Sequence, residues 1–237
     1  PGSTSTGTLG PTGTVGPTGT APPIAPDERF DPWAKSNAER LTPVLQAAMR
    51  RAAPRSTFTA NPRRPGTQPF AVRYRLMGPG PGAHSAARYE ADAVVSDGTR
   101  AGRVLVSIGR SDELLPGEKQ CRALKSTLDP VSCRERRGPD GETVVSAVLA
   151  LYDPASFKRI DVPLSVRTYE VIVTKPDGTT VNITAGEGIR FSDEILPGPP
   201  RPGDYAMPPP ERATPSMTLE QMEAVALDPR LTVPARR

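Results

Sequence analysis

The stretch LSVRTYEVIVTKPDGTTVNIT, residues 164–184, reads as two strands folded back on one another. Val171 and Val173 on the outward run, and Val181 and Ile183 on the return, stand at every second position, the period that sends alternate side chains to opposite faces of a sheet. Between the runs lies Asp177-Gly178, and Asp-Gly supplies the positive φ angles that a tight hairpin demands. The expectation is an antiparallel pair, Leu164–Thr174 with Thr179–Thr184.

The same pattern recurs upstream. Alternating segments at Phe70–Leu76, Arg88–Val95, Arg103–Ile108 and Thr143–Tyr152 are expected strands, with Asp97-Gly98 joining the second to the third and Asp140-Gly141 leading into the fourth. Ahead of them, Leu41, Val44, Leu45, Ala48, Met49 and Ala52 follow the three-and-four spacing of one helical face. This predicts a helix over Ser36–Ala53, with Asp31-Pro32 offering a start, Pro54 an end, and Pro43 either a kink or a restart capped by Thr42. Near the other end, Thr218 with Gln221 three residues on is a capping box. A short helix Leu219–Leu227 follows, stopped by Asp228-Pro229. The expected fold class is α+β: an antiparallel meander of five or six strands, with the N-terminal helix and the short C-terminal helix packed on one face.

The 30 Pro and 21 Gly of the 237 residues gather at the two ends and in one loop, which leaves a single packable middle. Residues 1–30 read as a Thr/Gly/Pro-rich stalk unable to bury enough apolar surface to offset its ordering entropy. Residues 31–192 form the core domain, 193–217 a proline-rich linker, and 218–237 the C-terminal helix and tail. Only 5% of residues are aromatic, so small aliphatic side chains must fill the core.

Cys121 and Cys133 are the only cysteines. Two thiols without supporting histidines fall short of the four ligands of a structural zinc site, so a disulfide is the preferred reading over free or redox-active thiols, and it implies an oxidising, extracytoplasmic compartment. The single histidine, His84, lies in a Gly/Pro-rich loop and has no second histidine to complete a triad or a multi-histidine metal site. Asp112 with Glu113 and Asp193 with Glu194 are adjacent acids, whose side chains point apart more often than together. No glycine loop is placed to cradle a phosphate. The triplet Asn182-Ile183-Thr184 matches a glycosylation acceptor but falls within an expected strand and is read as chance. Trp33, the lone tryptophan, is read as stapling the helix start to the core. No catalytic residue, metal ligand or cofactor follows from this inventory, so the expectation is a protein that is not an enzyme.

The formal charge of +4 arises from 30 basic against 26 acidic residues. These are interleaved, as in Arg134-Glu135-Arg136-Arg137, rather than gathered on one face, which argues against nucleic acid as a partner. No apolar run is long enough to span a bilayer, and the chain opens on Pro1 rather than a methionine, so any membrane attachment is expected through a segment outside it.

From Cys121 onward, the order of cysteine pair, Pro139-Asp140-Gly141, strand, Lys175-Pro176-Asp177-Gly178-Thr179, Leu219-Glu220-Gln221-Met222 and Asp228-Pro229-Arg230-Leu231 resembles a family of actinobacterial secreted or membrane-anchored extracytoplasmic domains. Some members of that family are similar to membrane proteins associated with sigma factors. The resemblance implies an N-terminal membrane segment and an extracytoplasmic domain of unassigned activity, and carries no catalytic residue with it. The functional expectation is a non-catalytic binding or signal-sensing ectodomain of an envelope protein, whose partner is an unknown ligand or another envelope protein. The alternative is a structural envelope or secreted protein with a glycosylated stalk.

Overall fold

The computed structural model describes residues 31–62, 64, 66–77, 86–99, 101–110, 121, 130–149, 152–153, 158–159, 168–186 and 215–236. The expected stalk, His84, the Asp112–Glu113 and Asp193–Glu194 pairs and the linker up to residue 214 lie outside them.

Helix α1 (Pro32–Ala52) begins four residues earlier than its apolar periodicity suggested. Asp31 is the reason: its carboxylate accepts the backbone N–H groups of Trp33 and Ala34 at 3.0 and 3.1 Å, and Pro32 fills the first helical position, where its missing N–H costs nothing. Pro43 does not restart the helix, which runs through it without interruption. It faces solvent, so the Glu39 carbonyl it leaves unpaired stands on the wet side. Thr42 is no cap: its hydroxyl donates to the Ala38 carbonyl at 2.9 Å and accepts the Val72 N–H at 3.0 Å, tying the helix to the chain ahead of the sheet.

The strands are β1 (Thr57–Thr59), β2 (Arg73–Met77), β3 (Ala86–Ser96), β4 (Ala101–Arg110), β5 (Ser132–Arg137), β6 (Thr143–Leu149), β7 (Tyr152–Asp153), β8 (Lys158–Arg159), β9 (Thr168–Thr174) and β10 (Thr179–Gly186). Among the described residues, strands β7 and β8 pair only with each other, and the rest form one antiparallel sheet in the order β1-β3-β4-β10-β9-β6-β5, with β2 sharing the edge of β3 beside β1. The fold is therefore α+β with an antiparallel sheet, as expected. The sheet, however, has eight strands rather than five or six. The additional ones are β1, only three residues long, and β5, whose sequence SCRERR lacks apolar alternation.

The strand order also departs from a simple meander. Three hairpins, β3–β4, β5–β6 and β9–β10, form locally as their Asp-Gly turns dictate, with Gly98 at φ 92° and Gly178 at φ 86°. The last hairpin then inserts between the first two, so that β10 pairs with β4 and β9 with β6. Strands β9 and β10 are the pair whose apolar positions are most continuous, and the centre of the sheet is where both of their edges are satisfied.

Val104, Val106 and Ile108 of β4, Val181 and Ile183 of β10, and Val171 and Val173 of β9 share one face and are fully buried against Leu41, Leu45 and Met49 of α1. Helix α2 (Leu219–Ala226) adds Met222 and Val225 to the same core, its start fixed by the expected capping box of Thr218 and Gln221. Met217, assigned from the sequence to the linker, is itself buried in this core. Beyond α2 the tail continues as part of the fold: the buried Thr179 hydroxyl accepts the Val233 N–H at 3.0 Å, and Arg40 of α1 donates to the Arg230 and Thr232 carbonyls.

Candidate functional site

The register of the sheet aligns one row of side chains on the face turned away from α1 and α2. Arg73 lies opposite Glu90, Glu90 opposite Ser107, Ser107 opposite Asn182, Asn182 opposite Ile172, and Ile172 opposite Val145. The row changes character at Asn182.

Toward β6 the row is apolar. Val145, Ala147 and Ile172 form a small buried cluster, and Cys121, Cys133 and Leu149 pack on it. The sulfurs of Cys121 and Cys133 lie 2.01 Å apart with the Cα atoms at 5.7 Å, disulfide distance. Cys133 belongs to β5, so the pair fastens residue 121 to the edge strand and covers apolar surface that neither described helix reaches.

Toward β3 the row is polar and still largely buried. Glu90 and Ser107 are 7% and 6% exposed, and in the flanking positions of the same face Thr180 of β10 and Glu170 of β9 are each 8% exposed. The Arg88 Nε donates to Ser107 Oγ at 2.7 Å and lies 3.1 Å from the Glu90 carboxylate. Across β4, the Asn182 amide donates from Nδ2 to Glu170 Oε1 at 3.0 Å, which fixes the amide with its oxygen pointing the other way. That oxygen, Oδ1, and the Thr180 hydroxyl are buried without a hydrogen-bond partner among the described residues. Such orphaned groups cost about 1–3 kcal/mol each, so two on one face of one strand mark a place where the sequence is not optimised for folding alone.

Next to this row, Asp92 is fully engaged in structure. Its carboxylate accepts from Asn61 at 2.6 Å, Arg73 at 3.0 Å and Arg64 at 3.3 Å, and its carbonyl accepts the Phe70 N–H at 3.1 Å. Phe70 adopts φ 56° to make that bond while burying its ring edge-on against Phe58, with centroids 5.7 Å apart.

On the helix side, a second polar cluster joins the tail to the sheet. Asp228 is paired with Arg51 and Arg230, and its carbonyl accepts from the buried Lys175 ammonium. Burial pulls the Lys175 pKa below the ordinary lysine value, against the opposing charges of Asp177, Asp228 and Glu142. For Asp228, burial works to raise the pKa but is outweighed by the hydrogen bonds and charge of Arg230 and the charge of Arg51, which hold its carboxyl below the usual range. Each group here has its partner inside the fold, and the cluster reads as architecture.

Ser107 is held by a guanidinium rather than by a base that could activate it. Glu90 and Glu170 stand on strands β3 and β9, three strand spacings or about 14 Å apart along the sheet backbone. Among the described residues, no group of three or more His, Cys, Asp or Glu could hold a metal ion, and no helix is long and apolar enough to cross a membrane.

Of the residues singled out from sequence, Cys121 and Cys133 are brought together. Trp33 packs against the core at the helix start, and the Arg236 guanidinium lies 5.6 Å from its ring centroid. Asn182, flagged only as part of a chance triplet, turns out to sit where the row passes from polar to apolar. Arg88, Ser107, Glu170 and Thr180 carried no signal of their own, because what brings Arg88 and Ser107 beside Thr180 and Glu170 is the β4–β10 register, a contact between strands some 70 residues apart.

No protein-family model, curated protein or solved structure matches this chain.

Proposed function

We propose that this chain is a non-catalytic binding or signal-sensing ectodomain of an envelope protein, working outside the cytoplasm, with the polar row beside the disulfide as its recognition surface. The observation that carries the reading is the pairing of Cys121 with Cys133, because cytosolic reductants do not let such a bond persist in most organisms. Support for a binding role comes from the orphaned acceptors on β10, polar groups kept where folding alone would favour apolar ones. The order of cysteine pair, Asp-Gly turns and capped C-terminal helix supports an actinobacterial origin.

The test uses intact cells that carry the full-length protein. After treatment with a membrane-impermeant reductant, a membrane-impermeant maleimide is expected to label Cys121 and Cys133. Labelling that appears only after lysis, with both thiols already free, would place the chain in the cytoplasm and end this reading.

A further inference from the structure

We infer that the Cys121–Cys133 bond is a redox-controlled latch: its reduction by a dithiol releases residue 121 and uncovers the apolar patch of Val145, Ala147 and Ile172, while the α1 side of the sheet stays folded. The inference stands on the bond itself and goes beyond the binding reading above.

Three observations converge. First, the patch is separate from the main core. Val145, Ala147 and Ile172 are 1%, 1% and 8% exposed and form a cluster of their own on the face turned away from the helices, with the sheet between them and Leu41, Leu45 and Met49 of α1. Packing lost on this side leaves the contacts of the other in place. Second, the sheet supplies only part of the cover. Leu149 belongs to β6 and Cys133 to β5, so among the described residues Cys121 is the one side chain laid on the patch from outside the sheet, and its sulfur is tied to Cys133. Third, the strand that carries the anchor does not depend on the bond. Strand β5 is paired with β6 over Ser132–Arg137, and Arg136 holds Glu223 of α2 on the opposite face. Reduction therefore frees residue 121 and leaves its mooring where it is.

Both cysteines are half-buried, within reach of a small thiolate. One thiolate of the dithiol attacks a sulfur, the S–S bond breaks to give a mixed disulfide, and the second thiol of the reagent displaces the remaining cysteine as it closes its own disulfide. Two electrons and two protons pass from the dithiol to the cysteines. The open state also gains hydrogen bonding. Ile172 stands directly opposite Asn182, whose Oδ1 is buried without a partner among the described residues, so water that reaches Ile172 brings the donor which the closed state lacks.

The experiment is methyl NMR of the purified whole chain, with and without dithiothreitol, in the presence of a soluble paramagnetic agent. Reduction is expected to shift the methyl resonances of Val145 and Ile172 and to increase their relaxation by the agent several-fold, whereas Val106 and Ile183 on the α1 face keep theirs. Reoxidation is expected to restore the first spectrum. Cys121→Ser with Cys133→Ser is expected to give the reduced pattern whether or not dithiothreitol is present.

Unchanged Val145 and Ile172 methyls in protein whose two thiols titrate as free overturn the inference. A change that spreads to Val106 and Ile183 does the same, since the bond would then staple the whole fold, and so does a bond that dithiothreitol cannot cut without denaturant. Surface labelling of the cysteines on cells without this local response would leave the ectodomain reading standing and remove only the latch. The local response in a protein whose cysteines are cytoplasmic would do the reverse.

Discussion

Two adjacent threonines on β10 have opposite roles. Thr179 is wholly buried and its hydroxyl is the acceptor for the Val233 N–H, so Thr179→Val strands a buried donor and is expected to cost about 1–3 kcal/mol in urea unfolding. Thr180 has no such partner, and Thr180→Val, nearly the same shape, is expected to raise stability by about 1 kcal/mol. Equal responses from the pair would mean that the Thr180 hydroxyl is in fact satisfied. Charge at Lys175 and Asp228 adds a pH signature. With its folded pKa lowered by burial, Lys175 sheds its proton in the native state before the unfolded one does. Stability therefore rises with pH from the lowered value toward the ordinary lysine pKa. Asp228 works on the other side: its folded pKa is depressed, so its contribution is full above the ordinary carboxyl pKa and is lost as pH falls through the folded value. Chemical denaturation across pH should show the alkaline rise vanish in Lys175→Met and the acid fall flatten in Asp228→Asn.

At the scale of elements, the sheet's exposed end is β5, which pairs with β6 and with no other strand among the described residues. Its charged run Arg134-Glu135-Arg136-Arg137 is what keeps such an edge from pairing with another molecule. Arg136 is also committed inward, sharing Glu223 of α2 with Ser146. Replacing the outward pair, Arg134→Val with Glu135→Thr, is expected to leave the fold intact and to produce concentration-dependent self-association in sedimentation velocity; a monomer at all concentrations would remove this role from the edge charges. That same composition hid β5 from the sequence, since a strand whose side chains are mostly exposed has no apolar period to read. The elements with local causes were legible: hairpins from Asp97-Gly98 and Asp177-Gly178, the C-terminal helix from Thr218 and Gln221, and the apolar face of α1. What was not legible depended on distant partners. The insertion of β9–β10 between two earlier hairpins is decided by packing, not by turn chemistry, and the polar row exists only once that insertion has set Ser107 beside Asn182. For α1, Thr42 suggested a cap for a restart at Pro43 because its hydroxyl bond to the Val72 N–H cannot be seen from within the helix.

Across the whole molecule, the core sits on one side of the sheet, and the Cys121–Cys133 link fastens the other. With the cysteines twelve positions apart, the chain-entropy argument gives about 3 kcal/mol for the bond. Cys121→Ser with Cys133→Ser is expected to lower unfolding stability by about that amount while leaving the α1 side of the sheet folded by circular dichroism. A variant as stable as the parent would mean that the loop is equally restricted without the bond.

Asp31, at the head of α1, and Arg236, near the end of the tail, form an ion pair at 2.8 Å. The folded body thus has its entrance and its exit side by side, like the neck of a drawstring bag. Circular permutation follows from this: a short glycine bridge from Arg236 to Asp31 should let the chain be opened at the Asp97–Gly98 turn without changing which strands are neighbours. In the same way, the body could be spliced whole into a surface loop of another protein.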